Sequence, residues 1–148
     1  VLSSNAFGLT DSLVLNCGKN NGVTEGLAII SQGYMVGKIN YVGNSQSTAL
    51  LAISSKFSTD ARVSQTNQTA IVNGSFSSGL TLDQVPQTSD LQKGWLVVTA
   101  GVNDKIPKNI LIGEVGDALS GKADLFKKAA LSSPVDFKNI EFVFAVKQ

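Results

Sequence analysis

Residues 21–43 read NGVTEGLAIISQGYMVGKINYVG, with glycine at 22, 26, 33, 37 and 43. Glycine costs conformational entropy in any regular element, so five in one apolar stretch need a physical reason. Met35, Gly37, Ile39 and Tyr41 alternate with Val36, Lys38, Asn40 and Val42, the period of a β-strand. Glycines inside such a pattern mark bulges, tight corners or places where another backbone comes close. Gly22 and Gly33 are predicted as turns and Gly37 as a bend. The stretch therefore predicts β-structure that curves sharply, as a small barrel must.

The same grammar extends outward. Leu80 and Leu82 alternate with Thr81 and Asp83, and Ile140, Phe142, Phe144 and Val146 share one face against Glu141 and Lys147. Ala28–Ser31, Ala49–Ile53, Leu96–Thr99 and Ile110–Val115 are continuously apolar, the pattern of strands covered on both faces. Leu119 to Leu131 fits a helix face or a strand about equally; a strand is predicted, stopped by Ser132, Ser133 and Pro134. Asn21-Gly22 and Asn73-Gly74 can supply positive φ for turns, and Ser78-Gly79, Lys93-Gly94, Ala100-Gly101 and Ser120-Gly121 punctuate the rest. Pro86, Pro107 and Pro134 fall outside the best alternating runs. Many short strands with few helical signals predict an all-β barrel or sandwich.

Composition excludes several functions. The 148 residues carry 12 Lys and Arg against 11 Asp and Glu, spread along the chain, with Lys127-Lys128 the only adjacent basic pair. No basic stripe for nucleic acid results. No apolar run comes near the about 20 residues that a membrane helix needs. The chain starts at Val1 and shows no signal-peptide pattern, as expected of a piece of a longer protein. With no histidine, a Ser-His-Asp triad or a Cys-His dyad is impossible, and one cysteine cannot build a zinc site. No phosphate loop or dinucleotide fingerprint occurs, so no cofactor or metal is predicted. Asp83, Asp90, Asp104, Glu114 and Asp117 have the spacing of solvated surface acids rather than a catalytic pair. Cys17 shares a face with Leu13 and Leu15 and is predicted as a small buried hydrophobe. Trp95, Phe7 and Phe57 are each readable as core or as exposed anchor, while Tyr34 beside Gly33 is predicted at an exposed hairpin tip.

Five motifs in order then resemble one family. NNGVTEGLAII followed by GYMVGKI resembles the DGV-x-x-GM turn and GLVGKV hairpin of the rod shape-determining MreC family. KGWLVVTAG resembles its GD-x-VVTSG segment, KIPKNILIGEV its FPKGLPVGTV segment, and PVDFKNIEFVFAV its P-x-x-DF-x-x-L-x-x-V-x-V ending. The departures are specific. Asn21 stands for Asp, Asn109 for Gly, Ala100 for Ser and Trp95 for Asp, and GYMVG is one residue longer than GLVG, which predicts a different turn or a bulge.

The resemblance implies two small six-stranded β-barrels packed side by side. The polar run SQTNQT would divide them into residues 1–64 and 69–148, with terminal strands free to cross. It implies a non-enzymatic scaffold on the extracytoplasmic face of the cell membrane, following a membrane helix and a coiled coil in the longer protein. The implied partners are a class B penicillin-binding transpeptidase, MreD, RodA, further MreC copies, and MreB through the membrane side. Tyr34, Met35 and Trp95 are the candidate partner contacts; Gly22, Gly33, Gly37, Gly101 and Pro107 are the candidate structural turns and bends. The competing readings are a carbohydrate-binding module, stacking sugars of peptidoglycan on Trp95, Tyr34 and Tyr41, and a protease-like barrel pair.

Overall fold

The computed structural model describes residues 2–8, 11–75, 79–101, 106–121, 123–137, 140 and 142–146, with 2–8 and Phe142 described by backbone alone. Among these, the chain forms twelve strands: β1 (Leu2–Gly8), β2 (Ser12–Leu15), β3 (Ala28–Ser31), β4 (Tyr34–Val42), β5 (Ser47–Leu51), β6 (Ser58–Val63), β7 (Thr69–Ser75), β8 (Gly79–Pro86), β9 (Leu96–Thr99), β10 (Leu111–Ala118), β11 (Phe126–Ser132) and β12 (Phe142–Val146). A single 3-10 turn at Lys19–Asn21 interrupts them. The protein is all-β.

Pairing runs in the order β11-β8-β7-β6-β9-β10, and β10 also pairs with β11. These six strands thereby close into a barrel, which leaves no open edge for another chain to pair with. The other six follow in the order β4-β3-β12-β1-β2-β5, and β4 pairs with β5 as well. One parallel contact, Leu111 opposite Tyr34, joins β10 to β4 and links the two sets.

Two apolar clusters fill the molecule. Phe57, Val63, Val72, Leu82 and Ile112 centre the first, and Leu13, Leu15, Ile29, Leu51 and Val143 the second. Neighbouring residues on one strand serve both: Ala28, Met35 and Ala52 belong to the first cluster, Ile29, Val36 and Leu51 to the second. A strand between two cores has no solvent face, which is why Ala28–Ser31 and Ala49–Ile53 read as unbroken apolar runs. Cys17 is buried in the second cluster, as predicted.

Several expectations need correction. The polar run after Val63 is the turn of the β6–β7 hairpin, in which Arg62 pairs with Thr69. β6 pairs on its other side with β9, so the chain crosses between strand sets at residues 52–57 and not at 64–69. Asn73-Gly74 is no turn either but lies inside β7, where a Cβ on Gly74 would overlap the carbonyl oxygens of Ala52 and Ser54. Close approach by that crossing segment explains the glycine. Of the stretch 119–131, residues 126–131 lie in a strand, β11, which runs on to Ser132; the described residues before Phe126 lie outside any strand. On β12 the faces are reversed: Val143 and Ala145 point inward and Phe144 outward. Asp104 and Ser78 lie outside the described residues.

The alternation predicted for β4 is broken twice. The register against β3 shifts between Ile29 and Ile30, and that against β5 shifts between Ile39 and Tyr41. A bulge turns the strand, so Met35 enters one cluster, Ile39 the other, and Tyr41 the solvent.

Candidate partner-binding surface

Three of the acids singled out in the sequence have local partners. Asp117 pairs with Lys93 at 3.0 Å, Asp83 accepts from the Gln84 amide at 2.8 Å, and Asp90 accepts from Gln92 at 3.1 Å. Each is occupied locally and faces outward. Among the described residues no three His, Cys, Asp or Glu side chains come together.

The predicted contact residues sit deeper than expected. Met35 is 0% exposed and packs in the first cluster, between the two strand sets. This part of β4 lies between the two clusters, so side chains on both of its faces are covered. Tyr34 is half-buried against the second cluster rather than standing free at a tip. Trp95 is half-buried against the first cluster, with its carbonyl accepting from the Val115 amide at 2.8 Å. Tyr41 is 61% exposed at the far end of β4 from Tyr34, so the three aromatics of a sugar-stacking platform belong to separate places. Phe57 is core, and the side chain of Phe7 lies outside the described residues.

The structural residues hold turns and close contacts. Gln32 and Gly33 have φ of 56° and 84° and form the two-residue turn between β3 and β4, the positive-φ pattern that suits strand twist. At Gly37 the constraint is space: a Cβ would overlap the Leu50 carbonyl oxygen of β5. Gly22 and Gly101 also lie at positive φ. The Pro107 carbonyl accepts the Thr99 hydroxyl at 2.7 Å, and Thr99 in turn accepts from the Ile110 amide at 3.0 Å, which ties Pro107 and Ile110 to β9. Asn109 sits at φ 70°, and its side-chain oxygen accepts from Arg62.

The exposed apolar side chains lie elsewhere. Met35, Ile30 and Phe144 are successive cross-strand partners on β4, β3 and β12, and partners directly opposite one another point to the same side. Along this row burial falls from complete at Met35, through half at Ile30, to 43% exposure at Phe144. The packing between the strand sets thus runs outward into open apolar surface. Sequence reasoning missed Phe144 because Phe142–Val146 is apolar at every position, and alternation in it carries no parity. A second group, Leu119, Leu125 and Phe126, projects at the β10–β11 connection. It was hidden by the helix-or-strand ambiguity of that stretch.

Residues 1–147 match the family description "Rod shape-determining protein MreC, barrel core". A cell shape-determining protein MreC of Listeria monocytogenes is 29% identical over 153 residues, covering 100% of this chain and 52% of that protein. The chain thus spans about half the length of this relative. A solved MreC structure from the same species superposes with a TM-score of 0.88 at 26% identity, over 99% of this chain and 74% of that one. A solved complex between a penicillin-binding protein (PBP2) and MreC from Helicobacter pylori gives a TM-score of 0.76 at 18% identity over 99% of each chain, a likeness of fold. Matched along nearly its whole length and sharing the fold, the chain belongs to the MreC family of rod shape-determining proteins.

Proposed function

We propose that this chain is the protein-binding part of a non-enzymatic, extracytoplasmic scaffold that controls rod cell shape by holding a class B penicillin-binding transpeptidase. The observation that carries the reading is the row Met35, Ile30 and Phe144, an apolar contact between strand sets that continues into solvent. Large aromatics with partly open faces are the usual anchors of protein interfaces. The PBP2–MreC complex from Helicobacter pylori supports the choice of partner. In the longer protein we place self-association, contacts with MreD and RodA, and a link to MreB through the membrane side in the same assembly.

The second strand set is, in this reading, a second barrel packed beside the first. Its circular pairing order and separate apolar cluster support that division. Residues 58–132 would form one barrel, and residues 2–51 with 142–146 the other. Lys38 ties them: its ammonium donates to the Ser58 carbonyl at 2.9 Å and lies 5.8 Å from the centre of the Phe57 ring.

Calorimetric titration of the chain with the extracytoplasmic part of its cognate transpeptidase tests the reading. Phe144→Ser is expected to weaken binding about tenfold or more, with an unchanged melting temperature. Equal affinity of parent and variant overturns it.

A further inference from the structure

The β10–β11 connection carries the most exposed apolar group among the described residues: Leu119 at 51%, Leu125 at 86% and Phe126 at 43% exposure. Exposure of this kind in a loose loop would mean little. Here the loop is braced. Gln87, from the segment after β8, donates to the carbonyls of both Gly121 and Asp124, at 3.2 and 2.8 Å. The Lys127 ammonium donates to the Ser89 carbonyl at 2.5 Å. Asp124 caps the turn by accepting from the Gly121 amide at 2.7 Å, and the Ser120 hydroxyl accepts from the Lys128 amide at 2.9 Å. An apolar projection whose neighbouring residues are tied by hydrogen bonds has less entropy to lose when a partner covers it, which is what a docking surface needs.

Beside the projection runs a groove of about 200 Å³, with Leu91 and Ala118 among its apolar walls. Among the described residues, the ionisable groups lining it are Lys127 and Lys128. The nearby carboxylates have their own partners: Asp124 holds the turn, and Asp117 pairs with Lys93. Lys127 keeps two further N–H donors after serving Ser89. Apolar rim and cationic wall together define what fits.

We propose that this groove and its rim form a second docking surface, which takes an extended protein segment carrying carboxylates beside leucine-like side chains. The carboxylates would meet Lys127 and Lys128, and the apolar side chains would cover Leu125 and Phe126. The proposal rests on the scaffold reading in one respect: a scaffold needs two surfaces to hold two partners at once. This one lies on the closed barrel, apart from the Phe144 row on the other strand set.

The probe is a short fluorescein-labelled peptide alternating Glu and Leu, with Lys-Leu and Glu-Ser repeats as controls, titrated by fluorescence polarisation. The expected result is binding of the Glu-Leu peptide above both controls. Leu125→Ser and the double variant Lys127→Gln/Lys128→Gln should each weaken it about five- to tenfold, and transpeptidase binding should stay at the parental value in Leu125→Ser. Thermal melts of these variants confirm that they are folded. The proposal is overturned if the Glu-Leu peptide fails to bind, if Lys-Leu binds equally well, or if the variants keep full affinity. Binding to vesicles of phosphatidylglycerol and phosphatidylcholine without peptide binding also overturns it, in favour of a lipid surface. Loss of the effect of Phe144→Ser on the transpeptidase, with the peptide results intact, would sink the scaffold reading alone.

Discussion

Glycines at 33 and 37 sit four residues apart and are required for opposite reasons. Gly33 has φ 84° and open space around its missing Cβ, while at Gly37 a Cβ would overlap the Leu50 carbonyl oxygen. Gly33→Ala should cost about 1–2 kcal/mol from left-handed strain, and Gly33→Asn should recover most of it. Gly37→Val should cost about 1–3 kcal/mol or more, because β4 and β5 must part to make room. Melting curves of the three variants check this; no recovery by Asn at 33, or a Gly37→Val as stable as the parent, would contradict it. Tyr34 changes character as well. Packed against the second cluster, it makes Tyr34→Ala a stability variant, expected to cost about 1–2 kcal/mol, where a free hairpin tip would have cost nothing. Which glycine bends and which merely clears space is invisible in a one-letter code. The need for glycine was legible; the atom it avoids belongs to a strand thirteen residues away.

At the scale of elements, legibility tracked asymmetry between faces. Leu80 and Leu82 on β8 were readable as inward because Asp83 on the opposite parity is charged, and both are buried. β12 was not readable, since FVFAV offers apolar side chains to both sides. The smaller Val143 and Ala145 went inward and the larger Phe144 was left outside. β4 failed differently: its alternation was real, but two bulges shifted the phase within one strand. The β3–β4 turn yields a prediction of its own. Gln32 occupies φ 56°, where Asn is more at ease than Gln, and Asn-Gly is the preferred pair for such a turn. Gln32→Asn should therefore raise stability by about 0.5 kcal/mol, read as a higher urea midpoint at unchanged slope. A lower midpoint would mean that the Gln32 side chain has a role beyond the turn.

Across the whole molecule, the shared residues couple the two strand sets. Met35 and Ala28 come from one set and fill the cluster of the other, and the crossing segment at 52–57 lies against Gly74. Units of this size are marginal alone, so the chain should melt in one calorimetric transition. Met35→Ala should lower that single transition by about 2–5 kcal/mol without splitting it, and two resolved peaks in the parent would show that the sets fold independently. The partner surface was the least legible part, because an apolar side chain left outside looks in sequence like one placed inside. The central claim is that the open end of the Met35, Ile30 and Phe144 row is where the transpeptidase docks. Site-specific photocrosslinking in cells tests it most directly, with a photoreactive amino acid placed in turn at 144, at 41 and at 125 of the membrane-anchored protein. A crosslink to the class B transpeptidase from position 144, absent from 41 and 125, is the expected result. A crosslink from 41 or 125 with none from 144 would contradict it.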